Sequence, residues 1–388
     1  MTPDPALTVL LTLKDRAAFT MRWMSYLDQV RFPYRVLIAD GGEDERVPRI
    51  LADRSSFPNV DFEYIRYPYD RGYADYYAKI ADALSRVRTP FVAMADNDDF
   101  FIVSGLEKAI RFLGDHPDHV ACGGQWALFW VKPTERAAGE PVRGRVDWKC
   151  RNNFQSNVAA TARERMRIQS LNADEVFYHV FRTGILARQF EIVRDLNPRD
   201  LFLVEQLTAY LTAIAGKTQH LEHLYIARQQ NSPGSSGGTH QQRFGDWFGR
   251  MLVPTWSEDF TGFVDVIARA LAQADAIPID AARDWVVQSY RMSIAPALLS
   301  NILEEPTVTG SMPIVAQAVR RLVRLPETSI LKRTARMLYR RVPWISYDSV
   351  YGSELVASPV GNAAREFRPI REFLAREGDP GFPPAGHS

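Results

Sequence analysis

The residues with the clearest chemical potential are four consecutive polar residues, Asp96-Asn97-Asp98-Asp99. They follow the apolar run 90–95, which is typical of a buried strand because it is short and bounded by chain breakers. Three carboxylates in one place repel one another unless a cation is bound between them. Oxygen ligands suit Mg²⁺ or Mn²⁺, which commonly also hold substrate phosphates. The tetrad is therefore either a metal–diphosphate site or an acidic turn that caps the following helix, where Asp and Asn are also favoured.

The segments around the tetrad predict an alternation of strands and helices. Apolar, β-rich runs predict strands over residues 7–13, 35–39, 60–67, 91–95, 120–131, 175–182 and 218–228. Helical spacing of apolar residues predicts helices over 17–30, 47–51, 73–87 and 201–215. This alternation indicates an α/β fold with a mostly parallel sheet flanked by helices. Open sheets of this kind bind ligands at the carboxyl ends of their strands, where the tetrad lies.

The second half of the chain has a different pattern. Beyond residue 238 it is helical, with predicted helices over 244–252, 260–274, 281–299, 313–325, 329–341 and 363–376. We therefore expect an α/β domain over residues 1–240 and an all-helical C-terminal module over residues 241–388. The Gly- and Ser-rich segment 229–240 between them is either a lid over the site or a linker.

Composition argues against several classes of protein, namely nucleic-acid-binding, disulfide-rich, zinc-binding and membrane-spanning proteins. The formal net charge of +1 gives no field that would attract nucleic acid, and two cysteines make neither a disulfide framework nor a zinc site. No apolar stretch reaches the roughly 20 residues that span a bilayer, and the first residues lack signal-peptide features, so we expect a cytoplasmic protein. The basic segment 320–341 fits either a helix lying on the inner membrane face or the solvated face of a helical bundle.

Four landmarks resemble, in order, the family 2-like glycosyltransferases of the GT-A fold. They are the strand and turn over 10–16, the Asp40-Gly41-Gly42 element, the stretch 71–79, and the strand over 91–99 that ends in a DXD-like signature. The resemblance covers about the first 240 residues. It implies a GT-A catalytic domain that moves a sugar from a nucleoside-diphosphate donor to a glycan or lipid-linked glycan, as in polysaccharide biosynthesis, assisted by Mn²⁺ or Mg²⁺ and with inversion.

The resemblance also implies roles for individual residues. It assigns Asp96 to the ribose, Asp98 to the metal ion and Asp40 to the nucleobase, whereas the plain alternative for Asp40 is turn chemistry with the glycines that follow. Other residues of suitable chemistry for the base and diphosphate are Thr12, Arg16, Asp70 and Lys79, although a solvated lysine is common on a helix. A downstream histidine, His240, is a further candidate metal ligand.

The catalytic base is expected near residues 203–207. The resemblance places a Glu-Asp pair there in inverting members, and here Val204-Glu205 stands in its place. Glu205 is thus the candidate general base for the acceptor hydroxyl. Asp200, five residues earlier, is the rival candidate, and it is equally suited to cap the helix that begins there.

Two other functions compete with this reading. The missing Glu-Asp pair leaves open a non-catalytic carbohydrate-binding or scaffold protein on a degenerate GT-A domain. A sugar nucleotidyltransferase would also use a metal at a sheet edge, but we expect it to carry a Gly-rich phosphate loop near the first strand, and residues 13–17 contain no glycine.

Overall fold

The sheet is parallel around the strand that precedes the tetrad. The computed structural model describes residues 6–132, 141–151, 154–172, 175–234, 239–240, 247–304, 356–357 and 362–376. The strands there are β1 (Leu7–Leu13), β2 (Arg35–Asp40), β3 (Phe62–Arg66), β4 (Phe91–Ala95), β5 (Phe100–Phe101), β6 (His119–Lys132), β7 (Arg145–Arg151), β8 (Val180–Arg182), β9 (Lys217–Gln229) and β10 (Val356–Ala357). β1 pairs in parallel with both β2 and β4, and β2 pairs in parallel with β3.

Antiparallel pairing extends the other side of the sheet. β8 lies antiparallel between β4 and β6, and the order across the sheet is β10-β7-β6-β8-β4-β1-β2-β3. β9 pairs in parallel with β6 and antiparallel with β5, which directly follows the tetrad. The carboxyl end of β9 is thereby brought beside the tetrad, although the two segments are far apart in the chain.

Helices cover the sheet. They are α1 (Ala17–Gln29), α2 (Arg46–Leu51), α3 (Tyr73–Arg86), α4 (Val103–Asp115), α5 (Ala162–Asn172), α6 (Thr183–Leu196), α7 (Leu201–Ala215), α8 (Trp247–Met251), α9 (Trp256–Asp275), α10 (Ile279–Glu304) and α11 (Ala363–Ala375), with one 3₁₀ turn over Arg54–Ser56. β1 and β4 are buried almost throughout, as expected for central strands with a layer on each face. None of the described helices combines the length and the apolar character needed to cross a bilayer.

The helices after residue 240 share the core of the α/β part. Phe263 and Ile267 of α9 are buried in one apolar cluster with Leu207 and Tyr210 of α7. On the other face of the sheet, α11 buries Phe367, Ile370 and Phe373 in the cluster that contains α1 and β5. The division at residue 240 stays a prediction, and these contacts show only that both parts pack together.

The mostly parallel α/β architecture predicted from the sequence is confirmed, with local differences. The strand predicted over 175–182 is only the three residues of β8, and β7, α5 and α6 were not predicted. α5 lacks an apolar stripe because it buries the polar residues Arg165 and Gln169, so its periodicity is weak. The helices predicted over 313–325 and 329–341, and the basic segment 320–341, lie outside the described residues.

Candidate active site

A cavity of about 470 Å³ opens at the carboxyl ends of β1 and β4. Its walls come from the turn after β1, the tetrad after β4, the start of α3 and the segment after β9. The lining residues are Thr12, Leu13, Lys14, Asp15, Arg16, Asp70, Gly72, Tyr73, Tyr76, Asp96, Asn97, Gly234, Thr239 and His240. The sheet edge favoured by the sequence for ligand binding is thus concave and is lined by several charged and polar side chains.

The acidic tetrad forms a cluster at this edge. One carboxylate oxygen from each of Asp96, Asp98 and Asp99 lies within 4.8 Å of the others. The first residue is half-buried and the other two are buried. None of them caps α4, because the residue before that helix is Ile102 and no side chain accepts a bond from its first turn. The capping alternative is therefore wrong, and the tetrad gathers three carboxylates instead.

The pKa values in this cluster move in opposite directions. Burial, reinforced by the charge of Asp98, raises the pKa of Asp96, and burial raises that of Asp99 to about 7 against the opposing charge of Arg228. Burial acts on Asp98 in the same way, but Arg16 and Ser232 outweigh it and hold its pKa below the ordinary value. Burial thus disfavours the charged forms of Asp96 and Asp99, whereas Arg16 favours the charged form of Asp98.

Two arginines lie against the cluster from different sides. Arg16 places a guanidinium nitrogen 3.1 Å from Oδ2 of Asp98 and also donates to the hydroxyl of Ser232. Asp15 and Arg16 both have φ of 58°, so two consecutive residues of the turn after β1 adopt the left-handed conformation. Non-glycine residues pay a steric cost there, and such strain concentrates at functional sites. The turn is held in a shape that aims Arg16 at the tetrad.

Arg228, near the end of β9, is the second arginine. Its Nε donates to Oδ2 of Asp99 at 2.8 Å, and another nitrogen donates to the hydroxyl of Tyr178 at 3.1 Å. That hydroxyl in turn donates to Oδ2 of Asp96 at 2.5 Å. Arg228 also pairs with Glu175 at 2.9 Å. One cation therefore fixes two of the three acidic side chains, one directly and one through a tyrosine.

The donor set fits a hard divalent cation. All three clustered side chains offer carboxylate oxygens, and Asp96 keeps one oxygen without a hydrogen-bond partner among the described residues. A cation bound between these carboxylates would favour their charged forms, which burial disfavours for Asp96 and Asp99. Oxygen-only donors of this kind match Mg²⁺ or Mn²⁺ rather than a soft metal.

Asp40 and Lys79 lie in the interior and do not line the cavity. Asp40 accepts hydrogen bonds from the backbone of Gly42 at 2.8 Å, from the Tyr64 hydroxyl at 2.6 Å and from Arg66 at 2.6 Å. Lys79 is buried, donates to the carbonyl of Leu13 at 2.7 Å and forms an ion pair with Asp70. Neither side chain lines the cavity, so any effect of these residues on donor binding would be indirect.

Asp70 and Thr12, by contrast, line the cavity. One oxygen of Asp70 pairs with Lys79, and the other, Oδ1, is buried without a hydrogen-bond partner among the described residues. Burial raises the pKa of this carboxyl despite the opposing lysine. A Cβ atom added at Gly41 would overlap the carboxylate, so the glycine after Asp40 is required for this packing.

Glu205 lies on the first turns of α7 and is exposed. Although solvent reaches it, desolvation by the surrounding protein raises the pKa of its carboxyl to about 7, and the charge of Glu175 adds to the effect. Arg228 and Arg250 oppose this shift. No hydrogen bond or ion pair engages its carboxylate within the part of the chain that the structure describes. A carboxylate with this pKa and no partner is suited to take up a proton.

Asp200 and His240 form a separate group. Asp200 caps α7, accepting from the backbone of Phe202 at 2.9 Å, and it pairs with Arg250 at 2.8 Å. Nε2 of His240 lies 3.4 Å from the same carboxylate, and its Nδ1 lies 3.0 Å from the Tyr73 hydroxyl. The capping alternative for Asp200 is what the structure shows. His240 lines the cavity but is not a member of the aspartate cluster.

Sequence reasoning gave no role to Arg22 or Arg228. Both act on the tetrad from segments remote in the chain; the contact of Arg228 with Asp99 joins residues 129 positions apart. Each is a charged residue in an otherwise apolar, element-forming run, and the stretch 224–230 around Arg228 also resembles a Tyr-x-Arg-x-His segment of family 2-like glycosyltransferases.

Residues 22–185 match the family model described as Glycosyl transferase family 2. This segment belongs to that family. The sequence interpretation as a glycosyltransferase is thereby confirmed at the level of the family, and the family 2 segment contains the whole acidic cluster. No curated protein matches the chain.

Solved structures are similar to the chain at low identity. The chain is 15% identical to S. aureus TarS 1–349 in complex with UDP, covering 81% of this chain and 78% of that one, with a TM-score of 0.45. It is 14% identical to the mannosyltransferase PcManGT from Pyrobaculum calidifontis in complex with GDP-Man and Mn²⁺, covering 86% and 84%, with a TM-score of 0.40. Against another S. aureus TarS structure it spans 55% of that chain's length and 74% of its own, at 13% identity and a TM-score of 0.40.

Proposed function

We propose that the protein transfers a sugar from a nucleoside-diphosphate donor to a hydroxyl group of a glycan or lipid-linked glycan, with a divalent cation at the aspartate cluster. The observation that supports this most is the position of the cluster. Three carboxylates lie within 4.8 Å of one another, and one of them, that of Asp96, lines a cavity of about 470 Å³. A volume of several hundred Å³ is typical of small-molecule sites.

The cluster would hold the cation through Asp98 and, although the resemblance assigns Asp96 to the ribose, also through the Asp96 oxygen that has no hydrogen-bond partner among the described residues. When bound, Mn²⁺ or Mg²⁺ supplies a Lewis acid that neutralises the charge of the diphosphate leaving group. Arg16 and Lys14, which line the same cavity, add positive charge from the protein. Asp99 supports the cluster through its bonds to Arg228 and to the backbone of Gln229.

Glu205 serves as the general base. The acceptor oxygen forms a bond to the anomeric carbon while the bond from that carbon to the diphosphate oxygen breaks, and the electron pair leaves with the diphosphate. The proton of the acceptor hydroxyl passes to Glu205, whose pKa of about 7 suits it to accept a proton near neutral pH. Attack from the face opposite the leaving group inverts the anomeric configuration.

The donor is recognised at the other end of the cavity. Asp70 presents a buried oxygen without a hydrogen-bond partner, and Thr12, Tyr73 and Tyr76 line the wall nearby. An N–H group of a nucleobase would satisfy that oxygen, and tyrosine rings offer apolar faces for a base or ribose. Lys79 then acts by orienting Asp70, and Asp40 acts by holding Arg66 and Tyr64.

Calorimetry tests the proposal. UDP, GDP and TDP are each titrated with and without Mn²⁺ into the wild type, Asp98→Asn and Asp118→Asn. Asp118 is a matched control because it is an ion-paired aspartate that lies away from the cluster. It directly precedes β6, and the strand beside β6, β8, pairs with the start of β4, whereas the cluster follows the end of β4. We expect manganese-dependent binding of at least one nucleotide, retained in D118N and lost in D98N. Absence of such binding for all three nucleotides in the wild type would refute the proposal.

A further inference from the structure

Arg22 of α1 is a cation enclosed in the core. Its exposed fraction is 0%, and its guanidinium carbon lies 4.7 Å from the ring centre of Phe19 and 5.0 Å from that of Phe100. No carboxylate forms an ion pair with it among the described residues. Burying an unpaired charge costs free energy unless hydrogen bonds compensate for the lost water. The hydrogen bonds that compensate for this cost therefore indicate the role of Arg22.

Those contacts reach three separate segments. One terminal nitrogen of Arg22 donates to the backbone carbonyl of Asp98 at 3.1 Å. The other donates to the Oε1 atom of Gln229 at 2.7 Å and to the carbonyl of Val142 at 3.0 Å. The planar guanidinium suits this use because its nitrogens point in fixed directions.

Gln229 links Arg22 to Asp99 and to two neighbouring segments. Its backbone nitrogen donates to Oδ1 of Asp99 at 3.0 Å, and its side-chain nitrogen donates to the carbonyl of Pro141 at 2.8 Å and to Asn231 at 3.3 Å. Asn231 is itself bound to the backbone of Val131 in both directions. The segment after β9 is thus fixed to the same arginine that fixes the tetrad.

We propose that Arg22 is a positioning residue, whose guanidinium holds the main chain of Asp98 and the side chain of Gln229 so that the carboxylates of Asp98 and Asp99 stay together. The effect on cation and nucleotide binding rests on the proposed function above. Arg22 does not line the cavity, so it acts through these two residues and not by touching the ligand. Side chains that orient ligating carboxylates have this kind of influence in metal sites.

The chain offers a matched control in Arg165 of α5. It too is buried and donates to backbone carbonyls, at 2.6 Å to Ala213 and 3.0 Å to Ile214, at the end of α7 and away from the cavity. Arg22→Lys and Arg165→Lys both keep a cation and lose the fixed fork of donors. A second site variant, Gln229→Ala, removes one acceptor of Arg22 and serves if R22K does not fold.

Two measurements separate the outcomes. Hydrogen exchange is followed in peptides covering 96–102 and 226–232, and the affinity for Mn²⁺ with UDP or GDP is measured by calorimetry. We expect R22K or Q229A to speed exchange in these peptides and to weaken metal-dependent affinity about tenfold, while R165K leaves both at wild-type values.

Wild-type exchange and affinity in R22K and Q229A would overturn the inference, as would equal effects from R165K. If the wild type shows no metal-dependent affinity but R22K still speeds exchange at 96–102, the proposed function fails and the positioning role stands.

Discussion

Nε of Arg228 lies 2.8 Å from Oδ2 of Asp99, and the same guanidinium contacts Tyr178 and Glu175. The pair joins the carboxyl end of β9 to the tetrad after β4. It gives one buried carboxylate a charged partner and steadies a second through the tyrosine. The acidic cluster is therefore a product of tertiary structure as much as of its four-residue motif.

Replacing Arg228 by Met should destabilise the protein. The change leaves the buried carboxylate of Asp99 without its charged partner, and breaking a buried pair typically costs about 3–5 kcal/mol. Asp99→Asn in the same background should recover part of that loss because it removes the unpaired charge. Urea unfolding of both single variants and the double variant measures the coupling. Strictly additive effects would contradict a direct interaction.

Glu205→Gln should abolish most sugar transfer while leaving nucleotide affinity intact. With a pKa of about 7, the carboxyl of Glu205 is protonated in acid, so wild-type turnover should rise with pH through neutrality. The profile of kcat between pH 5.5 and 8.5 checks this. A turnover that is independent of pH over this range, or a fully active E205Q, would remove Glu205 from the role of base.

Glu205→Gln should also make the protein more stable than the wild type at mildly alkaline pH. The pKa of Glu205 is higher in the folded state than its ordinary value of 4.5. Between that value and about 7 the native state holds a proton that the unfolded chain has released, so wild-type stability falls as pH rises through this window. E205Q lacks this group, and its Tm should exceed that of the wild type at pH 8 but not at pH 4.5. Equal differences at both pH values would count against the shifted pKa.

Lys79→Met tests whether this lysine binds phosphate or supports Asp70. In the structure it is buried and paired with Asp70, so its loss should lower the free energy of unfolding by about 3 kcal/mol. Lys79→Met combined with Asp70→Asn should be more stable than Lys79→Met alone. Chemical unfolding of the three variants is the measurement. A stable K79M with weakened nucleotide affinity would instead favour direct contact with the donor.

Phe373→Ala should show that α11 belongs to the core. The ring is 3% exposed and lies 5.2 Å, centre to centre, from that of Tyr26 in α1. Deleting a buried phenylalanine side chain typically costs about 3–5 kcal/mol. Leu252→Ala is the control, since Leu252 is 69% exposed and should change stability little. A Phe373 variant as stable as this control would mean that α11 is not packed as described.

Local pattern was enough to predict the parallel strands and the acidic cluster. β1 and β4 are apolar runs that end in polar turns, and their alternation with helices indicates a mostly parallel sheet. The interior positions of Asp40 and Lys79 could not be predicted in this way. Their partners Arg66 and Asp70 lie outside the elements that carry them. The local sequence around a polar side chain is the same whether that side chain faces a ligand or the protein interior.

Helix α11 has a consequence for how the chain reaches its native state. Arg376 donates to Gln29 at 2.9 Å, a contact that spans 347 positions. During synthesis on the ribosome, the face of α1 that packs against α11 emerges long before α11 has been made. At about 10 residues per second the delay is roughly half a minute. We therefore expect nascent chains to expose apolar surface on α1 during that interval. Molecular chaperones that bind apolar segments would bind there.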